Sequence, residues 1–229
     1  MKNIRIEYKE GRPALMVNEK QLPPVIYGLS DFPAAKSNTA QAQRNIANFA
    51  AQGVRMVTAD TNLSYAWHKF TPFDVEPIQA EIAGVLDADP DSMVLLRLHM
   101  NPPYWWLRDH PEETAWYNGA PGIDDGEPVR MIRDDGTGFG GARGRLRVCL
   151  GSKLWIKEAG EMLKLLCEQL SKTPEAEHLL GIQVACGIFG EWHQWGNDDG
   201  PCMEKRFREY LKETYGAEIS DVDSILKML

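Results

Sequence analysis

One glutamate in this chain is placed where acid chemistry could be done. Residues 180–186, Leu-Gly-Ile-Gln-Val-Ala-Cys, have the apolar, β-branched character of a short buried strand. The strand runs out through Gly187 and Gly190 and delivers Glu191 beside Trp192, His193 and Trp195. A carboxyl group among indoles suits acid-catalysed sugar chemistry. Aromatic faces offer apolar area to a pyranose ring, and their bulk disfavours the charged carboxylate, so that the acid keeps a proton to donate. The structural alternative is a strand end with an aromatic packing cluster and a solvated glutamate.

Such a glutamate has to be positioned, and the chain supplies an alternation of strands and helices. Strands are predicted at 25–28, 53–60, 93–100 and 180–185. Helices are predicted at 39–52, from about 74 to 89, at 152–170 and at 202–215. Ala42, Ile46 and Phe49 form the apolar face of the first helix, and Ile78, Ile82 and Val85 that of the second. Trp155, Ala159, Met162, Leu163, Leu166 and Leu170 form the stripe of the third behind a serine N-cap; Met203, Phe207, Tyr210 and Leu211 form that of the fourth. Ahead of this series, residues 1–24 read as a small β cap, with turns at 9–13 and 18–20. Residues 25–229 read as the main domain, with a long loop at 102–148 and no convincing helix inside it.

Four strand–helix units in order imply parallel strands with helical crossovers, as in an open doubly wound sheet or a (β/α)8 TIM-barrel. The third strand favours the barrel. Arg97, His99 and Asn101 alternate toward one face, and a sheet covered by helices on both sides has no room for such a row, whereas a barrel mouth does. Asp31, Asp60, His99, Asn101 and Glu191 then fall at strand ends, on the rim where barrel active sites are built. Asp31 and Asp60 serve equally well as turn formers or caps. Arg97 needs a partner, either in a buried ion pair or as an oxyanion clamp. Trp105 and Trp106 are loop-packing aromatics or, with Trp192 and Trp195, a sugar platform.

Composition narrows the classes. The chain has 229 residues, 43% hydrophobic and 25% charged, enough for one good core. A net charge of −8 argues against nucleic-acid or anionic-membrane partners. No apolar run is long enough to span a membrane, and the N-terminus has no apolar signal core, which favours the cytoplasm as compartment. Cys149, Cys167, Cys186 and Cys202 contain no CxxC pair and read as buried free thiols. Gly136-Thr137-Gly138-Phe139-Gly140-Gly141 matches the dinucleotide fingerprint by letter, but no strand precedes it and no helix opens from it, so it reads as a loop. A flavin- or nucleotide-dependent enzyme therefore lacks its phosphate-binding turn.

Three stretches together resemble the catalytic barrel of clan A glycoside hydrolases. They are residues 98–106 (LHMNPPYWW), Gly190-Glu191-Trp192, and residues 207–216 (FREYLKETYG). Their order and spacing are most similar to family 42 β-galactosidases, over roughly residues 25–216. The resemblance implies that Glu191 is the general acid/base of a retaining mechanism. It also implies that Arg145, four residues before Cys149, is a substrate-binding arginine. Two positions depart from the pattern. The clan places Asn directly before the acid/base, where this chain has Gly190. Some family members hold zinc on four cysteines, of which only Cys149 and Cys202 lie in comparable places, so no zinc site is predicted.

The expectation is thus the first four units of a (β/α)8 barrel acting on a β-linked sugar. Glu191 is catalytic, and Asp31, Arg97, His99, Asn101, Trp105, Arg145, Trp192 and Trp195 bind substrate, with no metal and no cofactor. The clan nucleophile follows the seventh strand and is expected outside these residues, so the isolated chain is expected to be inactive. Its expected partners are a carbohydrate and either the remaining half of the barrel or a second copy. The rival is a carbohydrate-binding or structural module that kept the aromatic rim and lost catalysis.

Overall fold

The computed structural model describes residues 3–29, 36–117, 119–121, 147–186 and 198–216. The chain divides into two compact units, Met1–Met100 with Met162–Cys186, and Asn101–Glu161 with Gly187–Leu229.

The first unit opens with a three-stranded antiparallel sheet, β1 (Ile4–Lys9), β2 (Arg12–Val17) and β3 (Lys20–Leu22), in that order. Glu10 and Gly11 join β1 to β2 with φ of 53° and 75°. Two successive left-handed residues give the turn whose twist matches a hairpin.

A four-stranded sheet follows: β4 (Ile26–Gly28), β5 (Met56–Asn62), β6 (Met93–His99) and β9 (Leu179–Ala185). The strands are hydrogen-bonded in that order and all neighbours are parallel. Helix α1 (Ala40–Ala51) links β4 to β5, and α2 (Glu76–Ala88) links β5 to β6. The unit is mixed α/β on a parallel sheet, as the alternation predicts, and this arrangement is consistent with a partial barrel.

Local sequence explains the helix ends. The Thr39 side chain accepts from the Ala42 amide at the start of α1. Asp74 accepts from the Glu76 amide at 3.0 Å as α2 begins. Ile78, Ile82 and Val85 of α2 are fully buried, each contributing about 1.5–3 kcal/mol of apolar burial. Glu81, on the same helix and 5% exposed, accepts from both the amide and the hydroxyl of Ser37 at 3.1 Å and pairs with Lys36. Gly84 permits this approach, because a Cβ there would fall 2.2 Å from the Ser37 hydroxyl. Phe49, expected inward on α1, is 42% exposed and stacks on Tyr27 at 4.3 Å.

The second unit contains α3 (Tyr104–Asp109), the short antiparallel pair β7 (Trp116–Tyr117) and β8 (Ala120–Pro121), the first half of α4 (Lys153–Leu170), and α5 (Pro201–Tyr215). The segment 102–148, read from sequence as loop, therefore holds a helix. Six residues are too few to show a helical period, and Pro103 as N-cap supplies an extended entry. The fingerprint-like glycines 136–141 lie outside the described residues.

Helix α4 starts behind Ser152, whose hydroxyl accepts from the Trp155 amide at 3.0 Å. Helix α5 ends at Gly216 with φ of 67°, the left-handed stop that glycine favours. Phe207 and Tyr210, expected inward on α5, are instead 44% and 48% exposed, while Leu211 is buried. Among the described residues, no helix is long and apolar enough to cross a membrane.

Candidate functional site

The parallel sheet has two unlike faces. Val57, Ala59, Val94, Leu96 and Leu98 share one face and are essentially inaccessible. The opposite face is layered by strand register. Met56 and Met93 close its lower end, and Asn62 pairs with His99 and His99 with Ala185 at its upper end, all of them buried. Between these ends lie two more open layers. In one, Gly28, Thr58, Leu95 and Gly181 are in register; in the next, Asp60, Arg97 and Gln183.

Parallel register puts these side chains side by side on one face. Arg97 Nη1 lies 3.5 Å from Asp60 Oδ2, with the two side chains 25% and 9% exposed. Gln183 is exposed, and the glycines at 28 and 181 keep the flanks low. Thr58 is held by the Leu29 amide, which donates to its hydroxyl at 3.2 Å. Carboxylate, guanidinium, amide and hydroxyl thus stand together on a sheet face that is closed at both ends. Such a set can both donate to and accept from a polyhydroxylated ligand.

The sequence-predicted residues fall as follows. Arg97 lies in this polar layer, ion-paired to Asp60. His99 is in the next layer toward the strand end and is 4% exposed. Asn101 and Trp105 belong to the second unit, where both are half-buried. Trp106 is fully buried, and its indole N–H donates to Glu158 at 2.6 Å, so it packs rather than presents a face. Asp31, Arg145, Glu191, Trp192 and Trp195 lie outside the described residues. None of the four cysteines is disulfide-bonded; Cys149 and Cys186 are buried, Cys167 is exposed and Cys202 is half-buried. Among the described residues, no three His, Cys, Asp or Glu side chains gather as a metal site would require.

Sequence reading missed Gln183. The signal was present: one amide inside an apolar strand, in phase with Gly181 and Ala185 and out of phase with Ile182 and Val184. Its place beside Arg97 depends on register, which one strand alone does not specify.

The Asp60–Arg97 pair makes a stability prediction. Asp60→Asn keeps the shape but takes the countercharge from a guanidinium that is three-quarters buried. A loss of about 1–3 kcal/mol is expected, seen as a lower urea midpoint. An unchanged midpoint would show the pair to be energetically idle.

No protein-family model matches the chain, and no curated protein matches it. Solved structures do. The β-galactosidase from the psychrophilic Marinomonas ef1 superposes with a TM-score of 0.53 at 18% identity, over 84% of this chain and 25% of that one. The cold-adapted β-galactosidase from Rahnella sp. R3 gives a TM-score of 0.47 at 11% identity, over 83% of this chain and 25% of that one. The chain spans about a quarter of the length of these enzymes. At this identity the likeness to the Marinomonas structure is one of fold alone.

Proposed function

We propose that this chain supplies the first four strand–helix units of a (β/α)8 barrel in a retaining, family 42-like β-galactosidase, with Glu191 as general acid/base. The observation that carries the reading is the polar layer Asp60–Arg97–Gln183 on one face of a sequentially ordered parallel sheet. A doubly covered sheet would bury that face in apolar contacts, whereas a barrel turns it inward beneath a strand-end active site. The fourth strand, β9, ends at Ala185, six residues before Glu191 in the sequence.

In this mechanism Glu191 protonates the glycosidic oxygen as the bond to the leaving sugar breaks. A second carboxylate, outside these 229 residues, takes the glycosyl group. Glu191 then removes a proton from the water that releases it. Asp31, Arg97, His99, Asn101, Trp105, Arg145, Trp192 and Trp195 are assigned to substrate, the charged and amide groups to hydroxyls and the indoles to ring faces. The chemistry uses no metal and no organic cofactor. Its partner here is the remaining half of the barrel or a second copy of the chain.

One residue favours a second reading. Gly190 offers no side-chain donor where the resembled clan has Asn, which suits a module that binds sugar without cleaving it. The two readings separate in an intact barrel carrying this segment. A β-galactosidase hydrolyses an aryl β-galactoside, and galactose quenches or shifts the emission of Trp105 or Trp192, an effect weakened by alanine at either position. Sugar-dependent emission without hydrolysis selects the binding module. A flat response to galactose- and mannose-type ligands, with no hydrolysis, overturns both.

A further inference from the structure

Six charged side chains of the second unit line one small cavity. It lies where the short helical turn Pro111–Glu113 meets the starts of α4 and α5, and its volume is about 250 Å³. Pockets for drug-sized ligands run to roughly 300–1,000 Å³, so an occupant here is smaller than those. The lining carries Glu112, Glu113 and Glu209 together with Lys153, Lys205 and Arg206. Carboxylates and cations are equal in number, so the lining is neutral as a whole while both signs are dense. Among the described residues it holds no aromatic ring, and it therefore lacks the flat surface on which a sugar ring stacks.

The frame of the cavity is fixed. The Glu113 carbonyl accepts from the Cys149 amide at 2.8 Å, and its Oε2 accepts the Cys202 thiol at 3.3 Å. Lys153 Nζ lies 2.6 Å from Glu209 Oε2, and Arg206 Nη1 lies 3.4 Å from the same oxygen. Gly151 lets α5 close on the segment ahead of α4, since a Cβ there would fall 3.0 Å from Arg206 Cγ.

Two lining charges are left uncommitted. Lys205 of α5 and Glu112 of the short turn are exposed, and their side chains make no hydrogen bond or ion pair among the described residues. Helix α5 also opens on the cavity at Pro201 and Cys202 with no side-chain cap. Its first-turn amides are thus available to a carboxylate.

We propose that this cavity binds a small zwitterion, a free α-amino acid with a short side chain. The ligand's carboxylate pairs with Lys205 and the first amides of α5, and its ammonium group pairs with Glu112. Leu154 and Pro201 supply the apolar lining for the short side chain. A ligand of one sign only gains one of these contacts and meets a like charge at the other. No residue assigned to glycoside chemistry takes part, so the two readings stand or fall separately.

Isothermal titration of the whole chain with L-alanine at low ionic strength should give saturable binding at one site per chain. Acetate and ethylammonium each carry half of the ligand. Each should bind at least about tenfold more weakly, the loss expected for one charge-assisted contact. Lys205→Met and Glu112→Gln should each weaken L-alanine binding by about tenfold or more. Both positions are exposed, so the melting temperature of the unliganded variants should match the parent. Galactose should not compete with L-alanine. The proposal is overturned if the parent shows no saturable binding, or if either variant binds as the parent does. Acetate binding as tightly as L-alanine would make this a simple anion site, and competition by galactose would make it a sugar site; either result also overturns it.

Discussion

Glu191→Gln in an intact enzyme carrying this segment is expected to lose about 10²–10⁴-fold in turnover on natural β-glycosides, the usual contribution of a positioned acid/base. The substitution keeps the side chain's size and one carbonyl acceptor, so a loss this large would report the missing proton rather than a collapsed site. Leaving-group dependence gives the second signature. A natural sugar alkoxide is a poor leaving group and needs protonation, whereas a nitrophenolate barely does. The variant's deficit on the glycosylation step should therefore shrink as the leaving group improves. A third signature is pH. In the parent, kcat/KM should fall on the alkaline side as the acid loses its proton; that limb should flatten in the variant. Unchanged turnover on natural glycosides would remove Glu191 from the mechanism, and with it the hydrolase reading of this strand end.

The elements of the fold were largely legible in the sequence, and the reasons differ by element. Helix α4 declared itself because eighteen residues at helical spacing carry a stripe of large apolar side chains behind a capping serine. Strand β6 was legible from a run of Met, Val and Leu too short for a helix, and β5 from the short Met56-Val57-Thr58-Ala59 stretch after a glycine stop, although it starts three residues later than expected. Helix α3 was not, because one and a half turns show no period and its three aromatic and leucine neighbours fit a loop as well. The exposed Phe207 and Tyr210 mark another limit. A helical stripe names an apolar face, and tertiary packing decides how much of it is covered: Leu211 is buried, while its stripe neighbours lie at the margin.

The candidate site shows the same division. Chemical type was readable residue by residue: an arginine and a histidine inside an apolar strand could be flagged from β6 alone. The grouping was not readable, since Asp60, Arg97 and Gln183 come from three strands and meet only through register. Asp60 was weighed as a cap or a rim residue; its role as the countercharge of Arg97 needed the alignment of β5 against β6. Sequence reading also took Trp105 and Trp106 as a pair, whereas the helix that holds them turns neighbours about 100° apart. That rotation leaves Trp105 half-exposed and Trp106 buried.

Trp106→Ala is expected to be the most damaging single core change in the second unit. The indole is fully buried, stacks on His110 with ring centres 4.4 Å apart, and donates to Glu158 at 2.6 Å. His110 in turn places Nδ1 2.8 Å from the Trp106 carbonyl, so ring and backbone of one residue hold the end of α3. Removing the ring leaves a large cavity and costs about 3–5 kcal/mol; it also strips the donor from a half-buried carboxylate. Trp106→Phe separates the two effects. A phenyl ring fills most of the space and keeps the stack on His110, so the residual loss, about 1–3 kcal/mol, reads the orphaned Glu158. Removing that carboxylate as well, with Glu158→Leu in the Phe background, should recover part of this loss. Urea denaturation followed by circular dichroism gives all three values. If Trp106→Ala melts with the parent, α3 is held by something other than this ring. If α3 is held by it, the alanine variant should also weaken any saccharide response at Trp105, because the helix that carries Trp105 would no longer be fixed.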